Sequence, residues 1–260
     1  MPQAAWCKRG DIFIDLFGGV GRVARCVSQR GGPNAIVLDF SYGYDILRPG
    51  AVEHIAQLAK AGRLKGIMLA TPCNSFSAAR RAPLWSSMPR KLRSEQHPYA
   101  IPGLKQSDID TAEQGNAIVR CCRRIIAVCD KYSIPWIVEN PRSSFLWKMP
   151  EMQSLISCNH VRIHHCHQCQ YGCPWMKATT FMTGNCQHAP QLERCCKPVK
   201  RRFCSRTGLA HFCLDNPSVT KQAQTYSRKL AGALAQTFKD AWIGLYFSEV
   251  SSAFGKVANT

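Results

Sequence analysis

Three polar residues that could carry out chemistry lie at or just after apolar runs. Cys73 follows the run 66–70, and Glu139 and Asn140 lie at the end of the run 134–139. A thiol at the end of a strand and beside a basic loop can be held as a thiolate, which is the nucleophilic form of cysteine. A buried structural cysteine and a carboxylate that caps a turn remain open as simpler interpretations.

A glycine-rich turn near the start of the chain could bind a nucleotide-like cofactor. The apolar run 12–16 leads directly into Phe17-Gly18-Gly19-Val20-Gly21, and glycines allow a backbone to approach a ligand closely. Asp39 ends the next apolar run, where a carboxylate can accept hydrogen bonds from two ribose hydroxyls. A tight turn without a ligand is the alternative interpretation of this segment.

These residues need a fold that positions them, and the sequence pattern in the first half of the chain predicts such a fold. Short apolar runs alternate with amphipathic stretches, a pattern typical of a parallel sheet wrapped by helices. In such sheets ligands collect at the carboxyl ends of the strands. Later in the chain, apolar residues recur every four positions and predict one closing amphipathic helix. The predicted strands cover 12–16, 35–39, 66–70 and 134–139, the predicted helices start near 20 and cover 51–60 and 107–130, and the closing helix carries Leu230, Leu234, Phe238 and Trp242.

The order of these segments resembles that of the cytosine-C5 DNA methyltransferase family, whose members are class I, S-adenosylmethionine-dependent enzymes. Asp15–Gly21 resembles the family's first cofactor motif, and Asp39 with Phe40 resembles its ribose-binding acidic residue and neighbour. Asp45 is similar to the aspartate that contacts the adenine of the cofactor. The resemblance therefore implies that S-adenosylmethionine binds to Asp15, Phe17, Gly19, Gly21, Asp39, Phe40, Asp45 and Pro72.

The residues that would act on the substrate follow from the same resemblance. Pro72-Cys73 resembles the nucleophile motif, and Glu139-Asn140 resembles the motif whose glutamate holds the target cytosine. The segment 171–177 is similar to the one in which the family carries a glutamine and two arginines, with Lys177 at the first arginine position. The resemblance implies that Cys73, Glu139 and Lys177 are catalytic and that Asn140 binds the substrate.

The resemblance also implies a fold: a Rossmann-like class I methyltransferase fold, with a mostly parallel sheet, helices on both faces and a small Cys/His-rich basic appendage. Three positions differ from the usual family pattern, which indicates a divergent member. Asn74, Pro141 and Thr179 stand where glutamine, valine and the second arginine are usual. Only a short stretch separates Met182 from the closing helix, so we expect a reduced target-recognition region and a relaxed sequence preference.

Covalent catalysis would suit these residue types. A Cys73 thiolate that adds to C6 of cytosine makes C5 nucleophilic enough to accept a methyl group, while Glu139 holds the N3/N4 edge of the base. Stacking in a duplex hides C6, so the base must be flipped out or presented single-stranded. The loop 77–106 is a candidate lid whose arginines, including the substrate-binding candidates Arg80 and Arg81, meet phosphates. The other basic residues of this loop are Arg90, Lys91 and Arg93, and a solvated basic loop is the alternative.

Cysteines and histidines are concentrated between Cys158 and His211. Within this stretch, Cys166-His167-Gln168-Cys169 has the two-residue spacing of one half of a zinc site. The completing ligands would come from Cys186, Cys195, Cys196, Cys204, His211 and Cys213. A set of reduced thiols without a metal is the alternative. Basic residues in the same stretch favour either a small nucleic-acid grip or a solvated charged face.

Composition predicts a polyanionic partner. The 34 Lys+Arg against 16 Asp+Glu give a formal net charge of +18, which favours salt-sensitive binding to nucleic acid; the family resemblance implies DNA rather than RNA. Adjacent cysteines among the 15 in the chain indicate a reducing compartment, and no N-terminal apolar run resembles a secretory signal or a membrane span. We therefore expect an intracellular setting, nuclear or cytoplasmic, without membrane association.

The 260 residues allow one substantial α/β core and a small additional module. We expect a catalytic and cofactor-binding core at 1–157, a Cys/His-rich segment with the reduced target-recognition region at 158–220, and a C-terminal helix that returns to the core at 221–260. Two other functions remain open at this point. One is an amino-group methyltransferase, which would need a Pro-Pro-aromatic turn in place of Thr71-Pro72-Cys73. The other is a catalytically silent nucleic-acid-binding module.

Overall fold

A computed structural model describes residues 10–78, 90–197, 202–214 and 217–257. Arg80 and Arg81 lie outside these ranges. The strands are β1 Ile12–Leu16, β2 Asn34–Leu38, β3 Leu64–Leu69, β4 Trp136–Pro141, β5 Val161–His167 and β6 Ala178–Gly184. The helices are α1 Arg22–Gln29, α2 Ala51–Lys60, α3 Gln106–Lys131, α4 Pro150–Ile156, α5 Pro217–Gln222 and α6 Arg228–Val257.

All six strands form one sheet in the order β2-β1-β3-β4-β6-β5. The pairs β1–β2, β1–β3 and β3–β4 are parallel, while β6 runs antiparallel to both β4 and β5. The chain leaves β1 toward β2 and then returns to its other side at β3, so the strand order reverses beside β1. Open α/β sheets bind ligands at such a reversal, outside the carboxyl ends of the strands.

Alternating residues of the strands supply a core on each face of the sheet. Ile12, Ile14 and Leu16 pack with buried residues of α2, α3 and α4, whereas Phe13 packs with α1 and α6 on the opposite face. The predicted closing helix is confirmed: Leu230, Leu234, Phe238 and Trp242 are all buried on that second face. The predicted fold class, a Rossmann-like α/β sheet with helices on both faces, is therefore confirmed.

The segment 158–220 is more closely joined to the core than its composition indicates. Residues 161–167 and 178–184 supply β5 and β6, which extend the central sheet. Pairing with β6 also lengthens β4 to Pro141, because every residue from Trp136 to Pro141 has a partner in β6. Glu139 and Asn140 consequently lie inside a strand rather than just beyond its end.

Arg93 has a different role from the one that its basic loop predicted. We expected it to meet phosphates, but its side chain is fully buried. The guanidinium donates to the carbonyl and hydroxyl oxygens of Ser75, at 3.1 and 3.0 Å, and its centre lies 4.0 Å from the centroid of the Phe76 ring. Burial lowers the pKa of Arg93 to about 10, while Glu113 opposes that shift.

The same guanidinium connects the loop after β3, which contains Ser75, to residues 98–99 and to α3. It donates to the carbonyl oxygens of Pro98, Tyr99 and Ala112 and to Asn116 Oδ1, at distances of 2.6 to 2.9 Å. Gly115 lets α3 approach so closely, because a Cβ there would lie 2.3 Å from Ser75 Oγ and 2.9 Å from an Arg93 nitrogen. Arg93 thus positions the loop that carries Cys73.

None of the described helices combines the length and the apolar character that a membrane crossing requires.

Replacement of Arg93 tests this positioning role. We expect Arg93→Met to lower the free energy of unfolding by about 3–5 kcal/mol, because several buried oxygens lose their donor at once. Urea unfolding followed by tryptophan fluorescence measures the change. The exposed Arg48→Met serves as the control and should stay within about 0.5 kcal/mol of the wild type. Equal effects of the two substitutions would show that the buried network does not stabilise the loop.

Candidate functional site

The glycine-rich turn begins where β1 ends and bends the backbone sharply. Phe17, Gly19 and Gly21 adopt φ angles of 61°, 53° and 67°. Glycine tolerates such angles, but at Phe17 they cost of order 1 kcal/mol, and strain of this kind is concentrated at ligand sites. At Gly21 a Cβ would also lie 2.6 Å from a Val37 methyl group, whereas the space around the Cα of Gly19 is open.

Asp39 fastens this turn to the end of β2. Its Oδ2 accepts a hydrogen bond from the Gly19 amide at 2.9 Å, and its Oδ1 accepts from the amide and hydroxyl of Ser41. Burial alone would raise the pKa of Asp39, but the hydrogen bonds from Ser41 and Gly19 outweigh burial and lower it. The carboxylate is therefore ionised at neutral pH and sits beside the open face of the turn.

Asp15 lies beneath the turn, fully buried in β1. Its Oδ2 accepts from the Ala24 amide at 3.0 Å, and its Oδ1 has no partner among the described residues. Burial raises the pKa of Asp15 to about 6, the Ala24 amide opposes that shift, and the charge of Asp39 adds to it. Through its hydrogen bond with Ala24, the buried Asp15 side chain therefore stabilises the glycine-rich turn from the core side.

The remaining predicted cofactor residues are Phe40 and Asp45, which follow β2, and Pro72, which follows β3. Phe40 follows Asp39 and is 78% exposed, so its ring can cover a ligand at this edge of the sheet. Asp45 is half-buried, and its Oδ1 accepts from the Leu47 amide. Pro72 is half-buried in the loop after β3, next to Cys73.

Cys73, Glu139 and Lys177 come together although they are far apart in the chain. Burial raises the pKa of the Cys73 thiol, the nearby Lys177 ammonium lowers it, and the Glu139 carboxylate raises it again. Burial prevails, so the pKa lies above its ordinary value. Burial thus opposes the thiolate that we expected the basic surroundings to favour.

Glu139 is buried, yet only half of its carboxyl group is satisfied. Its Oε2 accepts from the Tyr226 hydroxyl at 2.9 Å, and its Oε1 has no hydrogen-bond partner in the part of the chain that the structure describes. The neighbouring Asn140 donates to the Thr71 carbonyl at 2.6 Å, while its Oδ1 is equally unpartnered within the described ranges. These two free acceptors belong to adjacent residues of β4, whose side chains point to opposite faces of the sheet, and Asn140 is the one bonded to the Cys73 loop.

Lys177 is held in place by the segment around β6. Its ammonium donates to the Ala223 carbonyl at 3.2 Å, and its own carbonyl accepts from the Gln168 amide at 3.1 Å. The buried Gln168 side chain donates to Thr179 Oγ1 and accepts from the Trp175 indole. Thr179, at the position of the family's second arginine, is fully buried.

Sequence reasoning missed two residues of this site. Tyr226 received no role, because it lies just before the apolar stripe by which the closing helix is predicted. Its hydroxyl faces Glu139, and burial raises its pKa well above the ordinary value. Gln168 was noted only for its place in a Cys/His pair. For Gln168, no signal in the sequence pointed to its contacts with Thr179 and Trp175.

The Cys/His-rich segment contains one compact group of metal-ligating residues. The ligand atoms of Cys169, Cys196, Cys204 and His211 all lie within 4.8 Å of one another. Cys166, the other candidate from the Cys-x-x-Cys pair, points into the core between the sheet and α6. Cys195 and Cys213 are exposed, and Cys186 packs at the edge of the same core.

Comparisons with known proteins found structural similarity but no sequence match, and the structural similarity is weak. No family model and no curated protein matches the chain. The chain is similar to a solved mutant of Spodoptera frugiperda DNMT2 with a TM-score of 0.32 and 11% sequence identity, covering 66% of this chain and 49% of that one. It therefore spans about half the length of the Spodoptera chain.

A second solved structure is the Entamoeba histolytica methyltransferase EhMeth. Here the TM-score is 0.33 and the identity 12%, with 94% of this chain and 99% of that chain covered. Both TM-scores are low, so neither similarity is an argument about the activity, substrate or partners of this chain.

Proposed function

We propose that this protein is an S-adenosylmethionine-dependent methyltransferase that acts on C5 of cytosine in DNA. The observation that carries the proposal is that the strand of Glu139 adjoins the loop of Cys73: Asn140, next to Glu139, donates to the Thr71 carbonyl at 2.6 Å, and the charges of Lys177 and Glu139 both act on the Cys73 thiol. A buried carboxylate with one free oxygen beside a thiol suits a base that must be gripped and attacked.

The glycine turn and the end of β2 fit the proposed cofactor. The backbone around Gly19 is open to solvent space, and the ionised Asp39 carboxylate beside it can accept from ribose hydroxyls. Phe40 would cover the adenine, with Asp45 at its edge. Asp15, Phe17, Gly21 and Pro72 would shape the remainder of the site. When bound, S-adenosylmethionine supplies the electrophilic methyl group.

The chain's own residues would divide the remaining work. Cys73 Sγ forms a bond to C6 of the base, which transfers electron density to C5. Glu139 holds the N3/N4 edge through its free oxygen, and Asn140 offers a second acceptor to the substrate. After C5 has gained the methyl group and lost its proton, the Sγ–C6 bond breaks and the double bond of the ring returns.

Two observations favour this reaction over the alternatives. An amino-group methyltransferase has no use for a thiol at the base, and the turn here contains Cys73 instead of an aromatic residue. A silent binding module would have no need for the buried, half-satisfied carboxyl group of Glu139, which costs stability. Cys73 and Glu139 are both explained by a covalent mechanism.

Binding to nucleic acid is supported by charge, while the choice of DNA over RNA rests on the family resemblance. The net charge of +18 favours binding to phosphates. In addition, Arg22, Arg25, Arg30 and Arg228 line a cavity of about 370 Å³ that extends along α1 to the start of α6. Arg80 and Arg81 would add phosphate contacts from the candidate lid.

Removal of the Asp39 carboxylate tests the cofactor site. We expect Asp39→Ala to weaken S-adenosylmethionine binding by about ten- to a hundredfold, the equivalent of roughly 1.5–3 kcal/mol for a charged hydrogen-bond partner. Isothermal titration calorimetry measures the affinity, and circular dichroism checks that the variant is folded. Cys73→Ser is the matched control and should bind the cofactor like the wild type. Unchanged affinity in a folded Asp39→Ala protein would rule out this placement of the ribose.

Trapping with a modified base tests the nucleophile. A DNA oligonucleotide with 5-fluorocytosine should become covalently attached to the wild type when the cofactor is present, because fluorine at C5 cannot leave as a proton does. Cys73→Ser should form no adduct, since a serine hydroxyl is a far weaker nucleophile. Cys121→Ser, which removes another half-buried thiol, should react normally.

Denaturing gels detect the adduct, and a matched RNA oligonucleotide tests the substrate class. An adduct with RNA and none with DNA would overturn the DNA assignment while keeping the mechanism. An adduct of undiminished yield with Cys73→Ser would overturn the mechanism itself.

The dependence of methyl transfer on pH tests the role of Lys177. Because burial raises the pKa of Cys73 and the thiolate is the reactive form, the rate should rise about tenfold per pH unit around neutrality. Lys177→Gln removes the charge that lowers this pKa, so the rising limb should move to higher pH. Lys177→Arg should restore the wild-type profile. Single-turnover rates across pH provide the measurement, and a Lys177→Gln profile that does not move would argue against electrostatic assistance.

A further inference from the structure

We propose that Cys169, Cys196, Cys204 and His211 bind one structural Zn(II) ion. Their ligand atoms lie within 4.8 Å of one another, and Cys196 Sγ is 3.8 Å from His211 Nε2. Tetrahedral zinc with ordinary bond lengths separates a sulfur from a nitrogen ligand by about 3.6 Å. The four atoms therefore already surround a space of the right size.

The surroundings of these thiols differ from an apolar core. Cys169, Cys196 and Cys204 are buried against one another, and within the described ranges no aliphatic or aromatic side chain joins their cluster. Buried cysteines normally act as small hydrophobic side chains that pack among others. Three thiols and an imidazole gathered without such neighbours are instead typical of metal ligands.

Hydrogen bonds to backbone groups hold three of the four ligands in place. Cys204 and His211 lie on two arms of a hairpin, in which the Cys204 amide donates to the Leu209 carbonyl and the His211 amide to the Arg202 carbonyl, both at 2.8 Å. Cys169 belongs to a 3₁₀ turn, and its carbonyl accepts from Arg206 Nε at 2.8 Å. The hairpin is thus attached to the turn by contacts that do not depend on a metal.

Hydrogen-bond donors also point at the sulfur atoms. The Ser205 amide lies 3.3 Å from Cys196 Sγ. Gln170 Nε2 lies 3.6 Å from Cys169 Sγ and 3.8 Å from Cys204 Sγ. Donors around coordinating sulfurs stabilise their negative charge and fix their orientation. Three thiolates and one Zn(II) carry a net charge of −1, and Arg206, whose Nε donates to the Cys169 carbonyl at 2.8 Å, brings a positive charge close to it.

Four protein ligands leave no open position, so the ion would be structural and not catalytic. It would fasten residues 196–211 to the turn at Gln168–Tyr171. The Gln168 amide in turn donates to the Lys177 carbonyl, so the ion would also support the strand that follows Lys177. This proposal goes beyond methyl transfer and holds or fails independently of it.

Metal analysis of the full chain tests the site. Protein purified without chelator should contain about one zinc per chain, released on titration with an organomercurial reagent and detected with a metallochromic dye. Cys196→Ser should reduce the zinc content to near zero. Cys195→Ser, which changes the adjacent exposed thiol outside the group, should keep it.

Two further measurements apply to the wild type and so do not depend on the folding of a variant. X-ray absorption should give three sulfur and one nitrogen ligand at about 2.3 and 2.0 Å. Chelation should expose the segment 194–214 to trypsin, and added zinc should restore its protection.

Three results would overturn the proposal. They are a folded preparation free of metal, a ligand set other than three sulfurs and one nitrogen, and loss of zinc in Cys195→Ser to the same extent as in Cys196→Ser.

Discussion

The hydrogen bond between the Tyr226 hydroxyl and Glu139 connects the segment just before α6 to β4, an inner strand of the sheet. A carboxyl group inside a strand is costly unless its oxygens are satisfied. Tyr226 satisfies one of them and, by doing so, brings the start of α6 over the carboxyl end of β4. The adjacent Ser227 hydroxyl donates to the Tyr171 carbonyl, and the Tyr226 carbonyl accepts from Arg22. The other Glu139 oxygen has no hydrogen-bond partner among the described residues.

A similar constraint shapes the loop after β3. Arg93 supplies several of its hydrogen bonds: one buried cation satisfies oxygens of three segments and stacks on Phe76. The buried charge is tolerated because the guanidinium's donors find fixed acceptors and Glu113 lies near enough to stabilise the cation. The loop that carries Cys73 is therefore rigid at Ser75 and Phe76, while Cys73 itself stays half-buried and approachable.

The two parts of the Cys/His-rich segment are stabilised in different ways. Residues 161–184 bury their apolar side chains by extending the sheet through β5 and β6. The residues that follow have few apolar side chains, so a small hairpin there cannot form a core of its own. Hydrogen bonds to the turn at Gln168–Tyr171 attach this hairpin, and the proposed zinc ion supplies the stabilisation that a core would otherwise give.

The sequence by itself determined the alternation of strands and helices, the glycine turn at 17–21 and the buried stripe of α6, because these depend on local periodicity and backbone freedom. Only the tertiary structure decided that Arg93 is internal, that Tyr226 faces Glu139, and which cysteines approach His211. Each of these contacts joins residues distant in the chain. Their energy comes from burial of polar groups with matched partners, and a linear pattern does not record which partner the folded chain will supply.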